Sequence, residues 1–389
     1  GWAFPEIPHE AVEWVRSHAD GKGATNIWAP YIIPFGDKYR LYYCVSAFGL
    51  KTSYIGLAES ASPEGPWMQR GCVVKTDATS VMNAIDPSII ADSATGKWWM
   101  HYGSFFGGLY CVELNPETGL PVQEGDQGHL IARRATYWKD NLEAPEIIYN
   151  PELKQYYLFV SYDPLMTTYN VRVGRSDKAE GPFVDYFGVE LKNTTNNFPI
   201  LTAPYRFNNH PGWAGTAHCA VFTSDEGQYF MAHQGRLSPH NQMMDLHLRQ
   251  VFFTSDGWPV VSPERYTGSA SRKFSAADIV GEWEIIRVQE PAYERQLQAG
   301  QILWGEGQLK NEEWNVSCTL SLKKDGQLDE NKGYWKFAER GQLLSLTLNG
   351  ESVDNLLVFA GHDWENETET VLFTGLDSRG RSVWGKRTK

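Results

Sequence analysis

Two carboxylates in this chain occupy nearly the same setting. Asp86 lies in "NAIDPSII" (residues 83–90) and Glu143 in "NLEAPEII" (residues 141–148), each beside a proline at the mouth of a β-branched run. Paired carboxylates can give and take protons at a reacting group. An isolated Asp-Pro or Glu-Ala-Pro is ordinary turn chemistry. The recurrence asks for more, because two further segments fall into line with these: "NIWAPYII" with Trp28 and "TAHCAVF" with His218.

What positions them is a repeat. Four aromatic-rich segments, "KYRLYYCVS" from Lys38, "KWWMHYGS" from Lys97, "QYYLFVSY" from Gln155 and "QYFMAHQG" from Gln228, each start on a polar residue. Their anchors Tyr39, Trp98, Tyr156 and Tyr229 are spaced by 59, 58 and 73 residues. Each is followed by an alternating stretch ("SYIGLAES", "GGLYCVEL", "YNVRVGRS", "MDLHLRQV") and by turn clusters such as "SPEGPW" and "KAEGPF". Period-2 alternation broken by Gly and Pro turns is antiparallel β-meander, and such a repeat predicts a β-propeller. Trp28, Asp86, Glu143 and His218 precede their anchors by 11, 12, 13 and 11 residues. In a propeller the first strand of each blade lines the central channel, so the four side chains are expected to converge there as a site. Only four repeats are visible, and the chain is expected to begin inside the last strand of a first, incomplete blade.

Composition narrows the partner. The 389 residues carry a net charge of −12 with no Lys/Arg cluster, which argues against nucleic acid and anionic polymers. No apolar run reaches membrane-span length. The 15 Trp, 19 Tyr and 18 Phe exceed ordinary core needs, and a neutral polysaccharide would use the remainder through its apolar C–H faces. The five cysteines are scattered without metal-ligand spacing and read as buried thiols.

The motifs "WAP" at Trp28, "YYCVSAFG" ending at Gly49, "NAIDPSII", "GSFFGG" from Gly103, "EAP" at Glu143 and "VGRS" around Gly174 run in order over residues 26 to 265. Together they resemble glycoside hydrolase family 43, and specifically its endo-1,5-α-L-arabinanase branch. The resemblance implies an all-β, five-bladed propeller that hydrolyses arabinan and arabino-oligosaccharides with inversion. It implies Glu143 as general acid and Asp86 as the carboxylate that orients that acid and raises its pKa. It implies Trp28 and Phe48 as sugar-stacking rings, Asn83, Ser104 and Phe105 as cleft residues, and His218 beside an axial metal ion, calcium before sodium. His233 reads as structural. The family's general base, an Asp between His and Pro, is not found in this chain. An N-terminal fragment of the same protein that completes the first blade is expected to supply it. The branch is secreted or periplasmic, although "GWAFPEIP" at the start carries no export signal.

After about residue 272 the repeat stops. Short strands separated by Gly, Asp and Asn turns over 273–389 predict a small antiparallel β-barrel, so the domains expected are a 1–272 propeller and a 273–389 barrel. Trp283, Trp304 and Trp335 read as barrel core. Two rival functions stay open: an exo-acting arabinofuranosidase or xylosidase on the same scaffold, and a non-catalytic carbohydrate-binding propeller.

Overall fold

The computed structural model describes residues 3–134, 140–193, 196–240, 242–291, 309–329 and 333–388. It is a nearly all-β chain, a β-propeller followed by an antiparallel barrel. Contacts divide it into two compact units: Gly1–Val160 with Gly174–Asn196, and Ser161–Val173 with Asn197–Lys389.

Four meander sheets account for the first two thirds of the described residues. The first is β1 (Trp28–Phe35), β2 (Lys38–Ser46), β3 (Ser53–Ser60) and β4 (Met68–Thr76), paired in chain order. The second is β5 (Ser88–Ala91), β6 (Trp98–Tyr102), β7 (Leu109–Leu114) and β8 (His129–Ala132). The third is β9 (Leu142–Asn150), β10 (Gln155–Tyr162), β11 (Asn170–Ser176) and β12 (Ile200–Thr202). The fourth comprises β13 (Tyr205–Arg206), β14 (Trp213–Ala214), β15 (Ala220–Thr223), β16 (Tyr229–Leu237), β17 (Asp245–Phe253) and β18 (Pro259–Val261). Each expected aromatic segment is the second strand of a meander, and the anchors begin or almost begin it.

In the first unit, Tyr42, Ile55 and Leu57 of the first sheet pack with Ile89, Met100 and Val112 of the second in one core, with Ile33 and Phe35 at its margin. Both faces of β2 are buried, which explains why it reads as a nearly unbroken apolar run rather than an alternating one. The residues ahead of β1 correct the expectation of a blade's last strand. They form α1 (His9–His18), whose Ala11 and Val15, four apart on one helical face, pack on Tyr43, Val45 and Tyr54. A 10-residue amphipathic stretch is short, and the strand-rich context disguised its period.

In the second unit, β19 (Gly281–Arg287), β20 (Asn315–Val316), β21 (Cys318–Leu322), β22 (Gly333–Ala338), β23 (Leu343–Leu348), β24 (Glu351–Asp363), β25 (Thr368–Leu376) and β26 (Ser382–Arg387) follow the last meander. Seven of them form one sheet in the order β21-β19-β26-β25-β24-β23-β22. Trp283 and Trp335 lie in its core with Leu344, Leu356 and Phe373; Trp304 is outside the described residues. β20 leaves that sheet and pairs parallel with β13. All five cysteines are free, and Cys318 is exposed, against the expectation of buried thiols throughout. Cys318 shares a strand face with the buried Leu320 and Leu322 but is the first residue of that strand, beyond the part the core covers.

Candidate active site

The inner strands share a feature that composition does not show. Ala29, Asp86, Ala144 and His218 all have positive φ, at 32°, 56°, 53° and 54°. Left-handed geometry is uncommon for a non-glycine residue and costs on the order of 1–3 kcal/mol at each such position. Three of these four residues precede a proline. In β1 the cause is visible: pairing passes from Trp28↔Cys44 to Tyr31↔Tyr42, so Ala29 and Pro30 contain one extra residue, a β-bulge.

This changes the register inferred from the repeat. The equivalent positions are Ala29, Asp86, Ala144 and His218, and Trp28 and Glu143 each stand one residue before them. The two carboxylates therefore do not occupy equivalent positions. They are linked instead through a backbone group, because the Ala144 N–H donates to Asp86 Oδ2 at 3.2 Å. Asp86 is 6% exposed. Its carboxylate fixes the backbone of the residue that follows Glu143.

Glu143 is half-buried on β9. Its Oε2 accepts a hydrogen bond from Ser104 Oγ at 2.7 Å, and the two residues form an antiparallel β-bridge. One residue on, the Phe105 N–H donates to the Leu142 carbonyl at 2.8 Å. The "GSFFGG" segment thus lies along the start of β9 as a short extra strand. Ser104 and Phe105 are buried.

The other expected residues of the first unit separate into two kinds. Phe48 is 46% exposed and its ring sits 6.0 Å from Trp28, tilted by 57°. The Trp28 indole N–H is buried with no hydrogen-bond partner among the described residues, so packing alone holds the ring. Asn83 is buried, and its Oδ1 accepts from Ser53 Oγ at 2.6 Å, with Ser46 Oγ a further 2.7 Å from Ser53 Oγ. Tyr31, where the resembled family carries Asp, has its hydroxyl pKa driven up by burial and by nearby Glu146. Glu146 is itself buried and accepts from Ser88 Oγ at 2.7 Å.

In the second unit His218 is half-buried, and its backbone N–H donates to Ser161 Oγ at 2.9 Å. Among the described residues, the one cluster of three metal-ligating side chains is Glu264, Asp363 and Glu365, and His218 belongs to none. A single imidazole does not make a calcium site, since calcium takes six to eight oxygens. The side chains present do not by themselves fit the expected ion. His233 is fully structural. Its Nε2 accepts from Arg249 Nε at 2.9 Å and its Nδ1 faces the Gln234 carbonyl at 2.7 Å, which fixes the neutral tautomer. Burial and the Arg249 charge push it down to about 3.

The comparisons with known proteins bear on this geometry. A family model described as "Glycosyl hydrolases family 43" matches residues 8–259. The chain belongs to glycosyl hydrolase family 43. It is a glycoside hydrolase, and a second model, "C-terminal lipocalin-like domain", matches residues 263–385. The family 43 chain is 29% identical to an extracellular endo-α-(1→5)-L-arabinanase of Thermotoga petrophila, over 98% of this chain and 82% of the relative. It is 27% identical to extracellular endo-α-(1→5)-L-arabinanase 2 of Bacillus subtilis, over 97% and 81%. A crystal structure of endo-1,5-α-L-arabinanase from Thermotoga petrophila superposes with a TM-score of 0.84 at 27% identity, covering 99% of this chain and 89% of that one.

Sequence reasoning missed Asp140, Ser88 and Cys44. Asp140 holds the Gly107 N–H, Ser88 holds Glu146, and Cys44 approaches the Ala29 carbonyl at 3.9 Å. Ser88 lies within "NAIDPSII", Cys44 within "YYCVSAFG" and Asp140 one residue before "NLEAPEII", but none recurs at the aligned position of the repeat. Only the glycines of "GSFFGG" pointed to a tight backbone there.

Proposed function

We propose that this family 43 chain cleaves internal α-1,5-L-arabinofuranosidic bonds of arabinan with inversion, and that Glu143 is its general acid. One observation carries the assignment. Glu143 is the carboxylate whose side chain is held by Ser104 Oγ and whose strand is pinned on both sides, by Phe105 at Leu142 and by Asp86 at Ala144. A proton donor has to be aimed at the leaving oxygen to within a few tenths of an ångström, and a side chain so tied is aimed. The relatives' own activity, endo-α-(1→5)-L-arabinanase, supplies the substrate class.

In this reading the Glu143 carboxyl protonates the glycosidic oxygen as the bond to the anomeric carbon breaks. A water enters from the opposite face of the sugar, activated by a second carboxylate, and the configuration inverts. Asp86 acts as a positioning residue for the acid's strand. The other buried carboxylates described in the first unit hold structural hydrogen bonds or ion pairs: Glu59 with Arg40 and Arg70, Asp92 with Thr95 and Tyr156, Asp140 with Gly107, Glu146 with Ser88, and Asp185 with the Phe187 and Val189 N–H groups. No residue of this chain is assigned as the base. The Trp28–Phe48 pair offers an aromatic face to the furanose ring, and arabino-oligosaccharides are the products it holds. An axial calcium or sodium ion beside His218 would need oxygen ligands beyond this imidazole. Both relatives are extracellular, and we place this enzyme outside the cytoplasm as well.

The experiment is digestion of linear arabinan by the wild type and by Glu143→Gln. Oligosaccharides early in the digest and release of the inverted anomer, followed by NMR, are the expected results. Glu143→Gln should lose roughly 10²–10⁴-fold in rate on arabinan while keeping its affinity for the polymer. Arabinose as the sole early product would assign exo action instead. A Glu143→Gln variant of near-wild-type rate would remove Glu143 from the mechanism.

A further inference from the structure

Residues 104–108 are built against their own backbone preference. Phe105, Phe106, Gly107 and Gly108 all have positive φ, at 53°, 35°, 106° and 95°. Four consecutive left-handed residues, two of them aromatic, do not persist unless their surroundings impose them. The impositions can be named. A Cβ on Gly107 would lie 2.3 Å from the Val81 carbonyl oxygen, and one on Gly108 would lie 2.2 Å from the Ala132 carbonyl oxygen. The Gly108 N–H closes the turn on the Phe105 carbonyl at 2.9 Å. The remaining tie is a side chain. The Gly107 N–H donates to Asp140 Oδ2 at 2.8 Å, and Arg133 Nε donates to Asp140 Oδ1 at 3.1 Å.

Asp140 is 6% exposed and itself left-handed, with φ 62°. It stands two residues before β9, on the same segment that carries Glu143. The loop and the segment therefore meet three times in succession. Asp140 takes Gly107, the Leu142 carbonyl takes Phe105, and Glu143 takes Ser104. Remove the first tie and the turn is free to relax from a conformation it does not favour. Its relaxation moves Ser104, four residues from Phe105's closing partner, against the carboxyl that Ser104 holds.

We propose that Asp140 is a positioning residue for the general acid, acting through the left-handed turn Phe105–Gly108 to hold Ser104 Oγ on Glu143. This rests on the reading of Glu143 as the acid, and the experiment keeps the two apart. The variants are Asp140→Ala, Asp140→Asn, Ser104→Ala and Glu143→Gln in the full chain. The substrates are linear arabinan and a 2-chloro-4-nitrophenyl glycoside of arabinotriose, whose leaving group departs without protonation.

Asp140→Ala should lose about 10–100-fold in kcat on arabinan, with KM unchanged, and less than about threefold on the activated glycoside. Ser104→Ala should show the same selectivity. Asp140→Asn keeps an amide oxygen for the Gly107 N–H and should recover most of the arabinan rate. Equal losses on both substrates, a change confined to KM, or an Asp140→Asn as impaired as Asp140→Ala overturns the proposal. If Asp140→Ala does not fold, Asp140→Asn and Ser104→Ala still decide it, because a non-selective Ser104→Ala breaks the chain of contacts at its last link. Glu143→Gln is the separate control: if the activated glycoside does not rescue it, the acid assignment fails whatever Asp140 does.

Discussion

Lys386→Met should destabilise the second unit about as much as truncating a large apolar side chain in its barrel core. Lys386 is fully buried and has three carboxylates around its ammonium. Asp363 Oδ1 accepts from Nζ at 3.0 Å, Glu365 Oε2 accepts a further short bond, and Glu264 Oε1 stands 3.0 Å away as a charge contact. Burial alone would depress the ammonium, but Glu264 and Glu365 more than offset it and hold its pKa above the ordinary lysine value. Methionine matches the stem and removes the ammonium that contacts all three carboxylates. Breaking a buried ion pair costs about 3–5 kcal/mol, since the carboxylates left behind must ionise unpaired or take up protons. For a unit of this size 1 kcal/mol corresponds to roughly 2–4 °C, so the expected fall in Tm is about 6–20 °C at pH 7. Scanning calorimetry of wild type and variant measures it. The three carboxylates lie within 4.8 Å of one another, so millimolar calcium should recover part of the loss in the variant and leave the wild type unchanged. A Tm within about 3 °C of wild type, with no calcium effect, would refute the reasoning, because it would mean that these charges are not dependent on Lys386.

The same cluster sets a pH dependence. Burial pushes Glu264 up to about 8, with Lys386 opposing and Glu365 reinforcing, so folding favours its protonated form. Its contribution is fully present below the unfolded carboxyl range and is lost as pH rises toward 8, by up to about 1.4 kcal/mol per pH unit. His233, pushed down to about 3 by burial and Arg249, works in the opposite direction. Its contribution is complete above about 6.5 and is lost as pH falls toward 3. Urea unfolding across pH 4–8 should therefore show the second unit losing stability above about pH 6.5, where the Glu264 contribution is no longer offset by that of His233, and Glu264→Gln should flatten that alkaline decline. His218→Ala should leave the metal content of the purified protein unchanged if that imidazole binds no ion. Elemental analysis showing one equivalent of calcium lost with the side chain would establish an ion there, completed by ligands other than the described side chains.

What was legible in the sequence was periodic. The four meanders, the inner strands and the barrel after the last blade all announce themselves through period-2 alternation and turn residues, because a half-buried strand leaves that pattern whatever its neighbours are. The inner segments that carry Trp28, Asp86, Glu143 and His218 were legible for the same reason: a segment that recurs once per sheet is visible in a repeat. The helix His9–His18 was not, since it occurs once and buries only two residues against the first sheet.

The one-residue error in the register is more instructive. A strand read by alternation assigns Glu143 and Asp86 to equivalent places, but a left-handed residue breaks alternation, and its cost is invisible when the residue is Ala or Asp rather than Gly. Only the φ values at Ala29, Asp86, Ala144 and His218 reveal that a left-handed residue recurs in each segment and that Glu143 stands one residue before it. The same holds for the groups that contact distant chain. Glu264 and Lys386 are 122 residues apart, and no local pattern pairs them. Asp140 sits only three residues before Glu143, close enough to have been noticed, yet its role depends on an N–H from a loop 33 residues earlier. Sequence periodicity thus locates the inner segments that carry these side chains, while their hydrogen-bond partners depend on backbone positions that come together only in three dimensions. Segment 140–144 is tied to the loop at Asp140 by the Gly107 N–H, at Leu142 by the Phe105 N–H and at Glu143 by the Ser104 hydroxyl, while the Asp86 carboxylate takes the Ala144 N–H.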